Sequence, residues 1–225
     1  ALLERAKELY ELDNEVNSEY AEAYKEAILD IEDEEEAKFN DGDAVNSLIG
    51  EVNDAEDLKL GLVDTDEDLT AALENEDLDT ITFTANITSD GPITLRDDLT
   101  IDGNGFMLTV DSSGNVDNTA EGLYIPTGVE DVVVKNLTVR GNHGDNLIEI
   151  YSDATLENVS AIGGEKAGIY VNNDGEGRIT VNFTDITTRG NGWGAGIGLV
   201  AQQLGDKVVA NFSGDNSFRE DVAVY

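Results

Sequence analysis

Between Leu99 and Tyr225 short aliphatic runs alternate with Gly, Asn and Asp. The runs GLYI (Gly122 to Ile125), NLIEI (Asn146 to Ile150), AGIYV (Ala167 to Val171), AGIGLV (Ala195 to Val200) and DVAV (Asp221 to Val224) align with one another. Taking Ile125, Ile150, Val171, Leu199 and Val224 as equivalent gives steps of 25, 21, 28 and 25 residues. A second series runs out of phase with the first: NLTVRGN from Asn136, NVSAIGG from Asn158 and DITTRGN from Asp185, with steps of 22 and 27. Two strand series sharing one imperfect period describe a chain that winds, each turn burying its apolar residues on the turn below. The corners carry Gly, Asn and Asp, which tolerate the left-handed backbone that sharp bends need. A sandwich would instead place tight two-residue hairpins between long alternating strands. The pattern predicts a right-handed parallel β-helix, a single-stranded solenoid, over residues 60–225. The rung begun at Asp221 stops without a turn or capping element, so the solenoid is expected to be truncated at its C-terminal end.

Residues 1–59 follow a different period. Apolar side chains recur at three- and four-residue spacing in Leu2, Leu3, Ala6, Leu9, then Tyr20, Ala23, Tyr24, Ala27, Ile28, Ile31, then Val45, Leu48, Ile49, Val52, which is the stripe of an amphipathic helix. Asp13 to Ser18 and Asn40 to Asp43 supply the breaks. The prediction is a three-helix bundle joined to the solenoid near Asp57 to Val63. Through RAKEL, a middle helix opened by Tyr20 and a closing AVNSLIGEVNDA, it resembles the small helical FIVAR module, a spacer of bacterial surface proteins.

The entry to the solenoid, TDEDLTAALENEDLDTITFTANITSDGPITLRDDLTIDGNGFMLTV from Thr65 to Val110, resembles that of pectate-lyase-like β-helix proteins, particularly the adhesive or surface-layer-associated members. The resemblance implies a fold more than an activity, since such β-helices serve lyases, hydrolases, adhesins and structural proteins alike. Residue by residue, Thr65 or Asp66 can cap a helix whose first turn holds Glu67 and Asp68 at the positive end of the dipole. Leu69, Ala72 and Leu73 form its apolar face. Residues 65–76 are therefore expected to close the N-terminal end of the solenoid, where a bare cross-section would expose apolar residues and unpaired strand edges.

Charge narrows the partners. Asp and Glu number 49 against 13 Lys and Arg, a net charge of −36, with one His and no Cys. That sign repels phosphate backbones and anionic lipid, so nucleic acid and electrostatic membrane binding are disfavoured; neither nucleic acid nor direct membrane insertion is expected, and a cell-surface glycan or a neighbouring surface protein is expected instead. Periodic apolar positions argue for a folded core despite the charge. Self-repulsion that salt must screen points to a halophile. No leader is expected at Ala1 and no apolar run is long enough to span a bilayer, which suits an internal segment of an exported, extracellular protein. Five sequons, at Asn86, Asn136, Asn158, Asn182 and Asn211, fit strand and turn composition as well as glycosylation.

Candidate chemistry is sparse. A lyase on this fold needs a base at the sugar C5 proton, commonly Arg or Lys in this family; Arg140 and Arg189 occupy equivalent repeat positions, and His143 in RGNHGDN is the only histidine. Arg140, His143 and Arg189 are the catalytic candidates, and Trp193 in RGNGWGAG is the residue that would stack on a sugar. For a metal, Asp64, Asp66 and Asp68 alternate and Asp102 lies in DGNG, hard oxygen ligands suited to Ca²⁺ but without EF-hand spacing. No cofactor beyond Ca²⁺ is expected. Because Asn136, Asn158 and Asp185 repeat at equivalent positions where an active site would gather unlike groups once, the chain is read as a non-catalytic adhesive or structural β-helix. A carbohydrate-binding β-helix, or a polysaccharide lyase or hydrolase, stands as the alternative.

Overall fold

The computed structural model describes residues 14–32, 42–111, 122–143, 146–175, 177–192 and 195–224. The chain divides into two compact units, with the boundary between Leu60 and Gly61.

The first unit holds a 3₁₀ turn at Ser18–Tyr20, helix α1 (Ala21–Glu32) and helix α2 (Gly42–Lys59). The predicted stripes meet in its core: Tyr20, Tyr24, Val45, Ile49 and Val52 are buried, with Val16, Ala23, Ala27, Ile28 and Leu48 packed against them. The two tyrosines place their rings in that core while their hydroxyls reach polar partners, as buried tyrosines require. Tyr24 accepts the Asn17 N–H at 2.9 Å and donates to Asn53, and Tyr20 donates to Asp57. The hydrogen bond to Asp57, reinforced by desolvation and nearby carboxylates, raises the Tyr20 phenol from 10.0 to about 12. The helix expected over residues 1–12 lies outside the described residues.

The second unit is a parallel β-helix of three sheets. The first sheet stacks Leu62–Val63, Thr80–Phe83, Thr100–Asp102, Val132–Lys135, Ala154–Glu157, Arg178–Thr184 and Lys207–Ser213. The second stacks Ile87–Ser89, Met107–Asp111, Thr138–His143, Ser160–Ile162, Thr187–Arg189 and Ser217–Phe218, and the third Ile93–Thr94, Leu123–Ile125, Ile148–Ile150, Ile169–Asn173, Ala195–Ala201 and Asp221–Val224. All pairings are parallel and join one rung to the next. Inward side chains form columns: Ile81, Ile101, Val134, Leu156, Phe183 and Phe212 in the first sheet; Ile87, Leu108, Val139, Ala161, Thr188 and Phe218 in the second. In the third, Ile125, Ile150, Val171, Leu199 and Val224 stand in register, the equivalence the sequence repeats imply.

The corners follow from turn chemistry. Asn136, Asn158 and Asp185 end first-sheet strands at φ 52°, 52° and 56°, a conformation that Asn and Asp enter at less cost than other side chains with a Cβ. Each N–H pairs with the next rung, to Glu157 O (2.9 Å), Thr184 O (2.8 Å) and Ser213 O (3.3 Å). The side chains add a ladder: Asn158 Nδ2 donates to Asn136 Oδ1, and Asn136 Nδ2 to Asp102 Oδ1, both at 3.0 Å.

Helix α3 (Asp66–Glu74) is the expected short helix: Thr65 Oγ1 accepts the Asp68 N–H at 3.1 Å, and Leu69 and Ala72 are fully buried. Arg96 holds its other end, donating to Leu73 O (3.3 Å), Asn75 O (2.8 Å) and Leu78 O, so helix-terminal carbonyls gain the cationic partner they favour. Among the described residues no helix is long and apolar enough to cross a membrane.

Candidate functional site

The solvent side of the first sheet is a polar column. Thr80, Thr100, Val133, Thr155, Asn182 and Asn211 stand in register, and their inward neighbours fill the core, so period-two alternation forces these side chains outward. Asn211 Nδ2 donates to Asn182 Oδ1 at 2.9 Å, and Asn182 Nδ2 to Thr155 Oγ1 at 3.4 Å. Two sequon asparagines thus belong to this ladder. Asn136 and Asn158 belong to the corner ladder, and Asn86 Oδ1 accepts the Met107 N–H at 2.9 Å.

Along one edge of that column an aspartate precedes the strand on successive rungs: Asp98, Asp131 and Asp153. Asp98 and Asp131 adopt φ 54° and 55°, and Asp153 Oδ1 accepts the Thr180 N–H of the following rung at 2.6 Å. Here the surface hollows into an open groove of about 310 Å³ over Glu130, Asp131, Ser152, Asp153 and Arg178. A second depression of about 270 Å³ shares Asp131 and Asp153 and continues over Val133, Thr155, Thr180 and Asn182. Arg178 is exposed and in no ion pair among the described residues. The groove therefore offers carboxylate acceptors, amide and hydroxyl groups of both kinds and one guanidinium, a set that hydrogen-bonds hydroxylated ligands. Sequence reading passed over Asp131 and Asp153, although an aspartate directly before each aliphatic run in DDLT, EDVVV and SDATL was the available signal, and it counted Arg178 only as one of several basic residues beside the repeat-equivalent Arg140 and Arg189.

The residues singled out from sequence lie elsewhere. Arg140 and Arg189 both pair with Ile162, so they stand two rungs apart on the exposed side of the second sheet. His143 ends the same strand as Arg140, in register with Asp111, and its side chain lies outside the described residues, as does the whole of Trp193. Of the aspartates in the DTDED run, Asp68 Oδ2 accepts the Thr65 hydroxyl at 2.5 Å; Asp66 accepts the Thr70 hydroxyl at 2.8 Å through its backbone carbonyl only, its buried Oδ1 having no hydrogen-bond partner among the described residues; and Asp64 precedes the Thr65 cap. Asp102 receives Asn104 N–H at 2.9 Å, Asn136 Nδ2 at 3.0 Å and Lys135 Nζ at 3.3 Å. Partial burial pushes the Asp102 carboxyl up, but these hydrogen bonds and the ammonium outweigh it and hold the group below its ordinary value. Among the described residues, no group of three or more His, Cys, Asp or Glu is placed to hold a metal ion.

The family model of the pectate lyase-like adhesive domain matches residues 62–216, from the first strand of the solenoid into its last rung. The chain belongs to this family. No curated protein and no solved structure matches it. In this adhesive domain the polar column and groove lie on the solvent side of the first sheet, since the inward columns are consumed by the core.

Proposed function

We propose that the chain is a non-catalytic adhesive segment of an exported, surface-layer-associated protein, with the β-helix as a stiff rod and the helical unit as a spacer. The observation that carries this reading is the first sheet's outer face: hydrogen-bonding side chains occupy its column at Thr80, Thr100, Thr155, Asn182 and Asn211, interrupted at Val133, and run into the groove at Asp131, Asp153 and Arg178. Such repetition suits a long polymer held by many similar contacts, whereas catalysis needs unlike groups assembled once. The ligand class is a neutral or cationic surface glycan, because a net charge of −36 disfavours polyanions. Winding is taken as right-handed, the hand that parallel strand crossovers adopt almost without exception. The acidic surface supports a salty medium as its working environment.

Binding to an array of immobilised glycans in molar NaCl tests this. Retention of neutral or amino-sugar polymers, weakened at least about tenfold when Arg178→Ala and Asn182→Ala are combined, is expected; a loss of that size corresponds to about 1.4 kcal/mol. Unsaturated-product absorbance on polygalacturonate or alginate with Ca²⁺, lost in Arg140→Ala or Arg189→Ala, would sink the non-catalytic reading in favour of a lyase.

A further inference from the structure

The last two rungs meet at the corner between the second and third sheets in a way that adhesion leaves unused. Thr188 occupies an inward column whose earlier members Ile87, Leu108, Val139 and Ala161 are all aliphatic. It is fully buried, and its Oγ1 has no hydrogen-bond partner among the described residues. Glu220, just before Asp221–Val224, folds back over the preceding rung. Its Oε1 accepts the Asn191 N–H at 3.2 Å, whereas its Oε2 is shut off from solvent and has no hydrogen-bond partner among the described residues. Both orphan oxygens converge on Gly196, at the bulge where pairing shifts between Ala195 and Ile197. A Cβ on Gly196 would lie 2.1 Å from Thr188 Oγ1 and 3.3 Å from Glu220 Oε2. Asn191 is itself buried and braces the corner against the rung below, accepting Gly164 N–H at 2.9 Å and donating to Ala161 O at 3.3 Å.

A carboxylate oxygen removed from water must be paired, protonated or coordinated, because burying it bare is far costlier than burying a neutral group. No Lys or Arg among the described residues pairs with Glu220. The donor set is one anionic and one neutral oxygen, both hard. Its single charge balances a monovalent cation, whereas Ca²⁺ seeks 6–8 oxygens and more carboxylate. We propose that Glu220 Oε2 and Thr188 Oγ1 bind an alkali cation that fastens the last rung to the one beneath it. Salt then acts on this chain twice. Screening is indifferent to the identity of the cation, while the site distinguishes an alkali ion from a bulky organic one.

Thermal melts of the full chain in NaCl, KCl and choline chloride at equal ionic strength separate the two effects. An alkali chloride is expected to raise the midpoint by about 3 °C or more over choline chloride, the shift that saturation of one weak site produces. Glu220→Gln and Thr188→Val each abolish that difference and retain the stabilisation seen in choline chloride. Crystals grown with Tl⁺ give an anomalous peak at this corner. Melts indifferent to the cation, with no thallium peak, overturn the proposal and assign the corner to a water molecule or a proton on Glu220. Should either variant fail to fold, the thallium signal of the unmodified chain decides.

Discussion

Replacing Asn158 separates two contributions that the corners combine. Asn158 sits at φ 52°, its Nδ2 donates to Asn136 Oδ1 at 3.0 Å, and the residue is exposed. Alanine loses the side-chain bond, about 0.5–1 kcal/mol at an exposed site, and also pays about 1 kcal/mol for holding a Cβ in the left-handed region. Glycine loses the same bond and escapes the steric cost, but its freer unfolded chain takes back about 0.5 kcal/mol. Asn158→Ala should therefore destabilise by about 2 kcal/mol and Asn158→Gly by about 1 kcal/mol, roughly 4–8 °C and 2–4 °C in midpoint for a chain of this size. Urea unfolding of the full chain, followed by far-UV circular dichroism at fixed salt, gives both values. Alanine tolerated as well as glycine would refute the reasoning, because the corner would then need no left-handed residue.

Phe183 is fully buried and stacked on Phe212 with ring centroids 5.0 Å apart; Phe183→Ala should cost about 3–5 kcal/mol in the same urea series. The helical unit should lose stability in alkali: the Tyr20 pKa is raised from 10.0 to about 12, so the folded state keeps its proton more tightly. That contribution is full below pH 10 and lost as pH climbs to 12, and Tyr20→Phe should flatten the fall in helical ellipticity over that window. Asp102 works in the opposite direction. With its carboxyl held below the ordinary value, its contribution is present above about pH 4 and lost as pH falls further, so Asp102→Asn should shrink the acid sensitivity of unfolding. Screening of the −36 net charge should raise the melting temperature through molar choline chloride by more than in a near-neutral protein, and a flat response there would remove the halophile argument.

What the sequence determined by itself was whatever depends on neighbours along the chain. Alternation of aliphatic and polar residues set which face of each strand turns inward. The recurrence of Ile125, Ile150, Val171, Leu199 and Val224 set the register of the third sheet, because a one-residue slip would turn every apolar side chain outward. Asn136, Asn158 and Asp185 marked their corners because few residues with a Cβ adopt positive φ. Thr65 announced helix α3 because its cap contacts lie within one turn. What only the tertiary structure decided depends on which residues successive rungs lay side by side. Asp131, Asp153 and Arg178 form one groove although the last is 25 positions from its nearest partner, since rungs of unequal length bring them to the same edge. Nothing in the sequence sets Thr188 apart from the other strand threonines or Glu220 from the many other acidic residues. Their burial against Gly196 arises from a bulge and a side chain folding back across a rung, which no local pattern encodes.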